Sequence, residues 1–150
     1  QDARKYVLPI VYACMNMAKT KTGALIVIRQ EMSLESYEKS GDIIDADINS
    51  RLIENIFFKN SPLHDGAMIV DRGRICSAGC ILPVSHDRNV PRALGLRHRS
   101  ALGISQATDA FAIVVSEETG NISVAHKGVL HTRLSSTDLE HRLSQIMVND

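Results

Sequence analysis

Three short runs in this chain carry no charged or polar side chain: Ala24-Leu25-Ile26-Val27-Ile28, Ala67-Met68-Ile69-Val70 and Phe111-Ala112-Ile113-Val114-Val115. Each has the length of a strand and none alternates, so each must be covered on both faces, as a central strand of a helix-covered sheet is. With 150 residues, 44% of them apolar and 23% charged, one chain can supply that cover around a single core, without disulfides and without long disorder. The expected organisation is one domain over residues 1–150.

The remaining segments read as the cover. From Tyr6 to about Lys21 the positions Leu8, Val11, Tyr12, Met15 and Ala18 keep a three-to-four spacing, which predicts an amphipathic helix with Pro9 in its first turn, ended by Gly23. Ser33 caps a short helix that closes at Gly41; Ile43–Ala46 reads as a short edge strand; Asn49 or Ser50 caps a helix presenting Leu52, Ile53, Ile56 and Phe57. Asp71-Arg72-Gly73-Arg74 forms a hairpin turn into a strand from Ile75 to Leu82, inside which Gly79 marks a bulge. After a polar loop at 84–93, a helix spans about Leu96 to Gln106. Strands follow at Asn121–Ala125 and Val129–Leu134, and Thr137-Asp138-Leu139-Glu140 has the pattern of a capping box for the last helix. The sum is an α/β fold: a central mixed, largely antiparallel β-sheet of six or seven strands surrounded by about five helices.

Lys plus Arg and Asp plus Glu number 17 each, so the chain lacks the overall basic field that drives binding to polymeric nucleic acid. Local cations such as Arg97 and Arg99 can still hold the phosphates of a single nucleotide. Cys76 and Cys80 lie four apart on an expected strand, roughly 13 Å at the strand rise, too far for a disulfide or a shared ion. Together with Cys14 they read as reduced, core-filling thiols of a cytosolic protein. No apolar run is long enough to span a bilayer and no signal peptide is apparent. The start at Gln1 rather than Met leaves room for a longer parent protein.

The chemistry concentrates where the second apolar run begins. In Leu63-His64-Asp65-Gly66-Ala67 a carboxylate stands beside a glycine and an alanine, so a ligand can approach the backbone closely. An Asp-Gly pair is usually a plain turn, but here the preceding helix and Pro62 make it the mouth of a strand. Asp65 is then a metal ligand or a proton acceptor for a hydroxyl. His64 is either a solvated turn residue or a second, imidazole ligand, and both side chains reach one ion only if the turn bends. Gly95-Leu96-Arg97-His98-Arg99-Ser100 opens a helix on a glycine, which suits a phosphate at the free N–H groups. Two arginines in a first turn oppose the helix dipole and call for an anion. Arg97 and Arg99 point about 200° apart, so Arg97 faces the ligand and Arg99 orders the site or pairs with an acid. Ser116-Glu117-Glu118-Thr119-Gly120, at the end of the third apolar run, adds a hydroxyl and carboxylates suited to phosphate and metal.

Asp65-Gly66-Ala67, Arg97-His98-Arg99 and Val115-Ser116-Glu117-Glu118-Thr119-Gly120, in this order among apolar strands, resemble the diadenylate cyclase catalytic domain, most of all its membrane-anchored bacterial type. The resemblance implies condensation of two ATP into cyclic di-AMP with release of two pyrophosphates, dependent on Mg²⁺ or Mn²⁺. It implies a face-to-face homodimer with two ATP per active dimer, and a domain on the cytoplasmic side of the membrane behind an N-terminal anchor absent from this sequence. By the same resemblance Asp65 and Arg97 are catalytic, and His64, Asp65 and Glu118 bind the metal. Gly66, Ala67, Ile81, Leu82, Gly95, Leu96, Arg97, Ser116, Glu117 and Glu118 bind nucleotide, with Ile81 and Leu82 in the adenine pocket. Leu96 stands where the family often has threonine, keeping the backbone N–H but not the hydroxyl; Ser100 stands in place of a common alanine and brings a hydroxyl nearby. The rival expectations are a nucleotide-binding sensor without chemistry and a metal-dependent phosphohydrolase.

Overall fold

The computed structural model describes residues 4–147. Seven strands form one sheet: β1 (Ala24–Ile28), β2 (Asp42–Asp47), β3 (Ala67–Asp71), β4 (Arg74–Cys80), β5 (Phe111–Val115), β6 (Ile122–His126) and β7 (Val129–Leu134). Their order is β2-β4-β3-β1-β5-β6-β7. Only β1 and β3 pair in parallel; every other neighbour is antiparallel. The three apolar runs are the three central strands, and their side chains alternate between two cores. Ile26, Ile28, Met68, Val70, Phe111, Ile113 and Val115 face one layer, whereas Leu25, Val27, Ala67, Ile69, Ala112 and Val114 face the other.

The first layer is made by α1 (Arg4–Thr20), α3 (Ser50–Ile56) and α5 (Ser136–Met147), the second by α4 (Leu96–Ala107) with the single turn α2 (Glu35–Glu38). Several details depart from the sequence expectation. In α1 the buried residues are Val7, Ile10, Val11, Ala13, Cys14 and Met17, so Val11 is in the core as expected while Leu8 and Tyr12 are exposed. More than one stripe of the right period exists in so apolar a helix, and packing between α3, α5 and the sheet selects among them. This helix already runs at Arg4, which moves Pro9 beyond its first turn. The box that opens α5 is reciprocal between Ser135 and Asp138: the Asp138 N–H donates to Ser135 Oγ at 3.1 Å and the Ser135 N–H to Asp138 Oδ2 at 3.3 Å. All three cysteines are free thiols, but Cys76 is only half-buried and is not a core residue.

Strand β4 ends at Cys80, not at Leu82. Gly79 takes φ +67°, the ladder with β3 shifts register there, and the Ile81 N–H donates to Ser40 Oγ at 2.9 Å instead of to a strand. Ile81 and Leu82 are thereby freed to line a cleft. Leaving it, Pro83–Ser85 lies against α4: the Ser85 N–H donates to the Arg99 carbonyl at 2.9 Å, and Gly103 admits the Pro83 carbonyl where any side chain would collide.

On the same side of the sheet Glu38 is buried, with its Oε2 unpartnered, near Arg29, Asp71 and Cys76. Burial first, and Asp71 next, raise its carboxyl above the ordinary 4.5, while burial pushes the Cys76 thiol up to about 11. A carboxyl raised on folding favours the protonated form, so its contribution is fullest below the unfolded value and is lost as pH rises through the folded one. Glu38→Gln keeps the shape and removes the charge. Its thermal midpoint is expected above wild type at about pH 8, with the gap closing toward about pH 4, as a pH series of melts would read.

Candidate active site

The parallel pair sets the geometry. Ile26 pairs with Met68 in parallel and Ala24 with Val115 antiparallel, so the start of β1 lies between the start of β3 and the end of β5. Neighbouring strands are about 4.8 Å apart, which puts the segment entering β3 and the segment leaving β5 roughly 10 Å from each other. Between them, on the α4 side, opens a cleft of about 630 Å³ with Leu25 in its floor and the end of β5 at Val115 along its edge.

One wall carries His64, Asp65 and Gly66. His64 Nδ1 lies 2.8 Å from the Ser61 carbonyl, which only accepts, so this nitrogen carries a proton. In the neutral ring Nε2 then presents a lone pair, 3.4 Å from Asp65 Oδ1. The turn is bent enough for both side chains to address one point. Gly66 adopts φ +97°, and a Cβ there would stand 2.7 Å from the Cys80 carbonyl and 2.8 Å from the Gly79 carbon, so no other residue fits unstrained.

The facing wall joins the first turn of α4 to the loop after β5. Gly95 is the N-cap and offers no side-chain cap, which leaves the first N–H groups of the helix unpaired by any cap. Arg97 extends over the bare backbone of Gly23: a Cβ on Gly23 would fall 2.6 Å from the Arg97 Cζ. Its Nε is sealed without a partner, and its Nη1 lies 3.4 Å from Glu117 Oε1. Ser116 Oγ accepts from the N–H groups of Glu118 and Thr119, each at 3.2 Å, so its own hydrogen remains free to donate outward. Arg99 turns away and donates to the carbonyls of Ser85 and Asp87 at 3.3 and 3.2 Å; it orders the neighbouring loop through carbonyls, without an acid. The segment leaving β4 adds an apolar stretch to the lining, with Ile81, Leu82 and Val84, and Ala93 and Leu96 are apolar as well.

The cleft therefore gathers His64, Asp65, Gly66, Ile81, Leu82, Gly95, Leu96, Arg97, Ser116, Glu117 and Glu118. Ala67 does not line it: fully buried at the head of β3, it packs in the α4-side core. Two further residues that the sequence did not assign shape the site, one in its lining and one behind it. His98 lines the cleft at 5% exposure, and burial, then Arg97, lower its pKa, so it is a neutral imidazole next to a guanidinium. Gly23, read only as a helix stop, is the platform for Arg97; its one sequence signal was its place immediately before the most apolar strand. Among the described residues no group of three or more His, Cys, Asp or Glu gathers as an ion site. The bent His64–Asp65 pair is a two-donor set, which suits an ion that takes its other ligands from phosphate and water.

Residues 11–130 match the sequence model of the DAC family, described as the DisA bacterial checkpoint controller nucleotide-binding domain. The chain belongs to this family. The DAC domain is 42% identical over 144 residues to the cyclic di-AMP synthase CdaA of Bacillus subtilis, covering 95% of this chain and 53% of that protein. It is 44% identical to a diadenylate cyclase of Listeria monocytogenes, over 88% of this chain and 48% of that one. It spans about half the length of these curated relatives. Among solved structures, a cysteine double mutant of DacA from Staphylococcus aureus superposes with a TM-score of 0.94 at 40% identity, covering 95% of both chains. A hypothetical membrane spanning protein of Bacillus cereus gives 0.80 at 41% identity, covering 84% of this chain and 62% of that one.

The two glycines at the cleft respond differently to a methyl group. In Gly23→Ala the obstructing atoms belong to the end of a flexible side chain, so the fold is expected to hold within about 1 kcal/mol while Arg97 is displaced. Calorimetry with inorganic tripolyphosphate should show about ten-fold weaker binding. In Gly66→Ala the obstruction is backbone and φ is positive, and a loss of about 2 kcal/mol in denaturant unfolding is expected.

Proposed function

We propose that the domain is a diadenylate cyclase that joins two ATP molecules into cyclic di-AMP, with release of two pyrophosphates. The observation that carries this reading is the meeting of Asp65, Arg97 and Ser116–Glu118 at one end of the sheet, in a domain alike to named cyclases over nearly its whole length. Each ribose 3′-oxygen bonds to the α-phosphorus of the other nucleotide, the bond from that phosphorus to the bridging oxygen breaks, and pyrophosphate leaves. The Asp65 carboxylate accepts the hydroxyl proton. Arg97, the Ser116 hydroxyl and the free N–H groups opening α4 hold the phosphates in line. His64 and Asp65 are the residues that would hold Mg²⁺ or Mn²⁺, which would supply charge neutralisation for the leaving pyrophosphate, while Glu118, expected with them, stands on the facing wall and does not gather with them in one chain.

The product has two-fold symmetry, and so does a face-to-face pair of identical half-sites. The openness of the cleft supports this assembly: the Asp65 side chain is 87% exposed, and Ile81 and Leu96 are exposed apolar residues on the rim. No helix of the described residues is long and apolar enough to cross a membrane. In the parent protein we place the domain behind an N-terminal membrane anchor, on the cytoplasmic side where ATP is found. The structural likeness to a protein described as membrane spanning supports that placement.

Incubation with ATP and Mn²⁺ or Mg²⁺ should yield cyclic di-AMP by chromatography. Bound but unconverted ATP would make the domain a sensor, and AMP or phosphate would make it a phosphohydrolase. Asp65→Asn should lower cyclisation by at least about 100-fold with an unchanged melting curve. Specific activity should rise with protein concentration through the association range; strict proportionality between rate and concentration down to low nanomolar protein would contradict weak assembly.

A further inference from the structure

We propose that Ser100 is a base-binding residue, whose hydroxyl hydrogen-bonds the polar edge of the nucleotide base at the apolar stretch of the cleft. This rests on reading the cleft as an ATP site. Ser100 lines the cleft at 9% exposure, and its hydroxyl has no hydrogen-bond partner among the described residues. It is not sealed in protein either, since the only side-chain atoms that are both sealed and unpartnered there are Glu38 Oε2 and Arg97 Nε. A hydroxyl in such a position normally finds a partner in its own helix, as Ser105 does by donating to the Leu102 carbonyl at 2.7 Å. Ser100 instead has the cleft as its outlet.

The part of the ligand it meets follows from the helix. Ser100 lies three residues before Gly103, on the face where α4 packs against Pro83–Ser85, and the carbonyl of Arg99, the residue just before it, accepts from the Ser85 N–H. Its neighbours in the cleft are thus the segment of Leu82 and Val84, the apolar stretch. Side chains on a helix lean toward its start, so the hydroxyl tilts toward the turn of Leu96 and Arg97 and into the cleft. Arg97, by contrast, reaches back to Gly23 and Glu117, where the phosphates are held. A hydroxyl is therefore set among Leu82, Val84 and Leu96, where an unpaired polar group costs most and a paired one discriminates best. Adenine offers that edge both acceptors, N1 and N7, and the 6-amino donor, and a hydroxyl can serve either kind.

The test compares wild type with Ser100→Ala for binding of ATP by calorimetry, and for KM and kcat of cyclisation. It repeats the binding with 1-deaza-ATP, 7-deaza-ATP and purine riboside triphosphate, each lacking one of the three edge groups. The Ala variant should bind ATP about three- to ten-fold more weakly, with the loss falling on KM more than on kcat. That penalty should shrink below about two-fold for the analogue that lacks the contacted group. An unchanged ATP affinity overturns the proposal, and so does an equal penalty for ATP and all three analogues, which marks a structural effect. Alanine favours a helix, so folding is expected; should it fail, Ser100→Cys takes its place in the same measurements. Wild type that neither binds nor converts ATP overturns the ATP reading with it, whereas an active wild type beside an indifferent Ser100→Ala overturns this proposal alone.

Discussion

The parallel pairing of β1 with β3 is the constraint on which the rest depends. An all-hairpin sheet would bring each strand back beside its predecessor, but β1 and β3 are joined by a long crossover through α2, β2 and α3, and they start at the same end. Because β5 runs antiparallel to β1, it finishes at that end too. One strand entry bearing Asp65 and one strand exit bearing Ser116–Glu118 are thus forced to flank the bare backbone of Gly23. Both faces of these strands are buried, so a one-residue slip would turn two cores inside out at once. The site inherits its geometry from the best-determined register in the molecule.

Charge is distributed over that frame with little freedom. The Ser61 carbonyl fixes the His64 tautomer, and the lone pair and the Asp65 carboxylate then face one another as acceptors. Two acceptors in contact call for a cation or a proton between them. On the other wall, Arg97 and the free N–H groups of α4 call for an anion, and exposed Glu117 only partly answers. The neutrality of His98 belongs to the same arrangement: a second cation buried next to Arg97 would be opposed both by desolvation and by the guanidinium.

Much of this was legible in the sequence, because the strongest signals were also the most local. The uninterrupted apolar runs declared the central strands, Asn49 declared the α3 cap through its bonds to the N–H groups of Arg51 and Leu52, and the Asp65, Arg97 and Ser116 motifs fell in one cleft. What was not legible depended on long-range packing. In α1, Val7, Ile10, Cys14 and Met17 are buried beside the expected Val11, and a single helix cannot distinguish that face from one carrying Leu8 and Tyr12, which are exposed. The early end of β4 required Ser40 to capture the Ile81 N–H, a contact across 41 positions. Gly23 had no motif around it, since its partner Arg97 lies far along the chain and touches it only in the folded sheet. The packing of α4 on Pro83–Ser85 around Ser100 likewise had no local signal, because it joins segments that meet only in the folded chain.

The pair of Arg97 and Glu117 shows how the frame and the charges act together. Arg97 is only 21% exposed, backed by Gly23, and its Nε is sealed, so it has little room to swing; the Glu117 side chain is 66% exposed and free to leave. An anionic group entering the cleft would meet a guanidinium already resting on the strand entry, beside an exposed carboxylate. The cost of ordering the cation has been met in folding, and the exposed carboxylate stands in water, where its charge is well solvated. The reverse arrangement, a mobile arginine on a fixed carboxylate, would spend ligand affinity on immobilising a long side chain. Glycine at position 23 makes the difference, because only a residue without a Cβ lets the guanidinium lie on the strand entry itself.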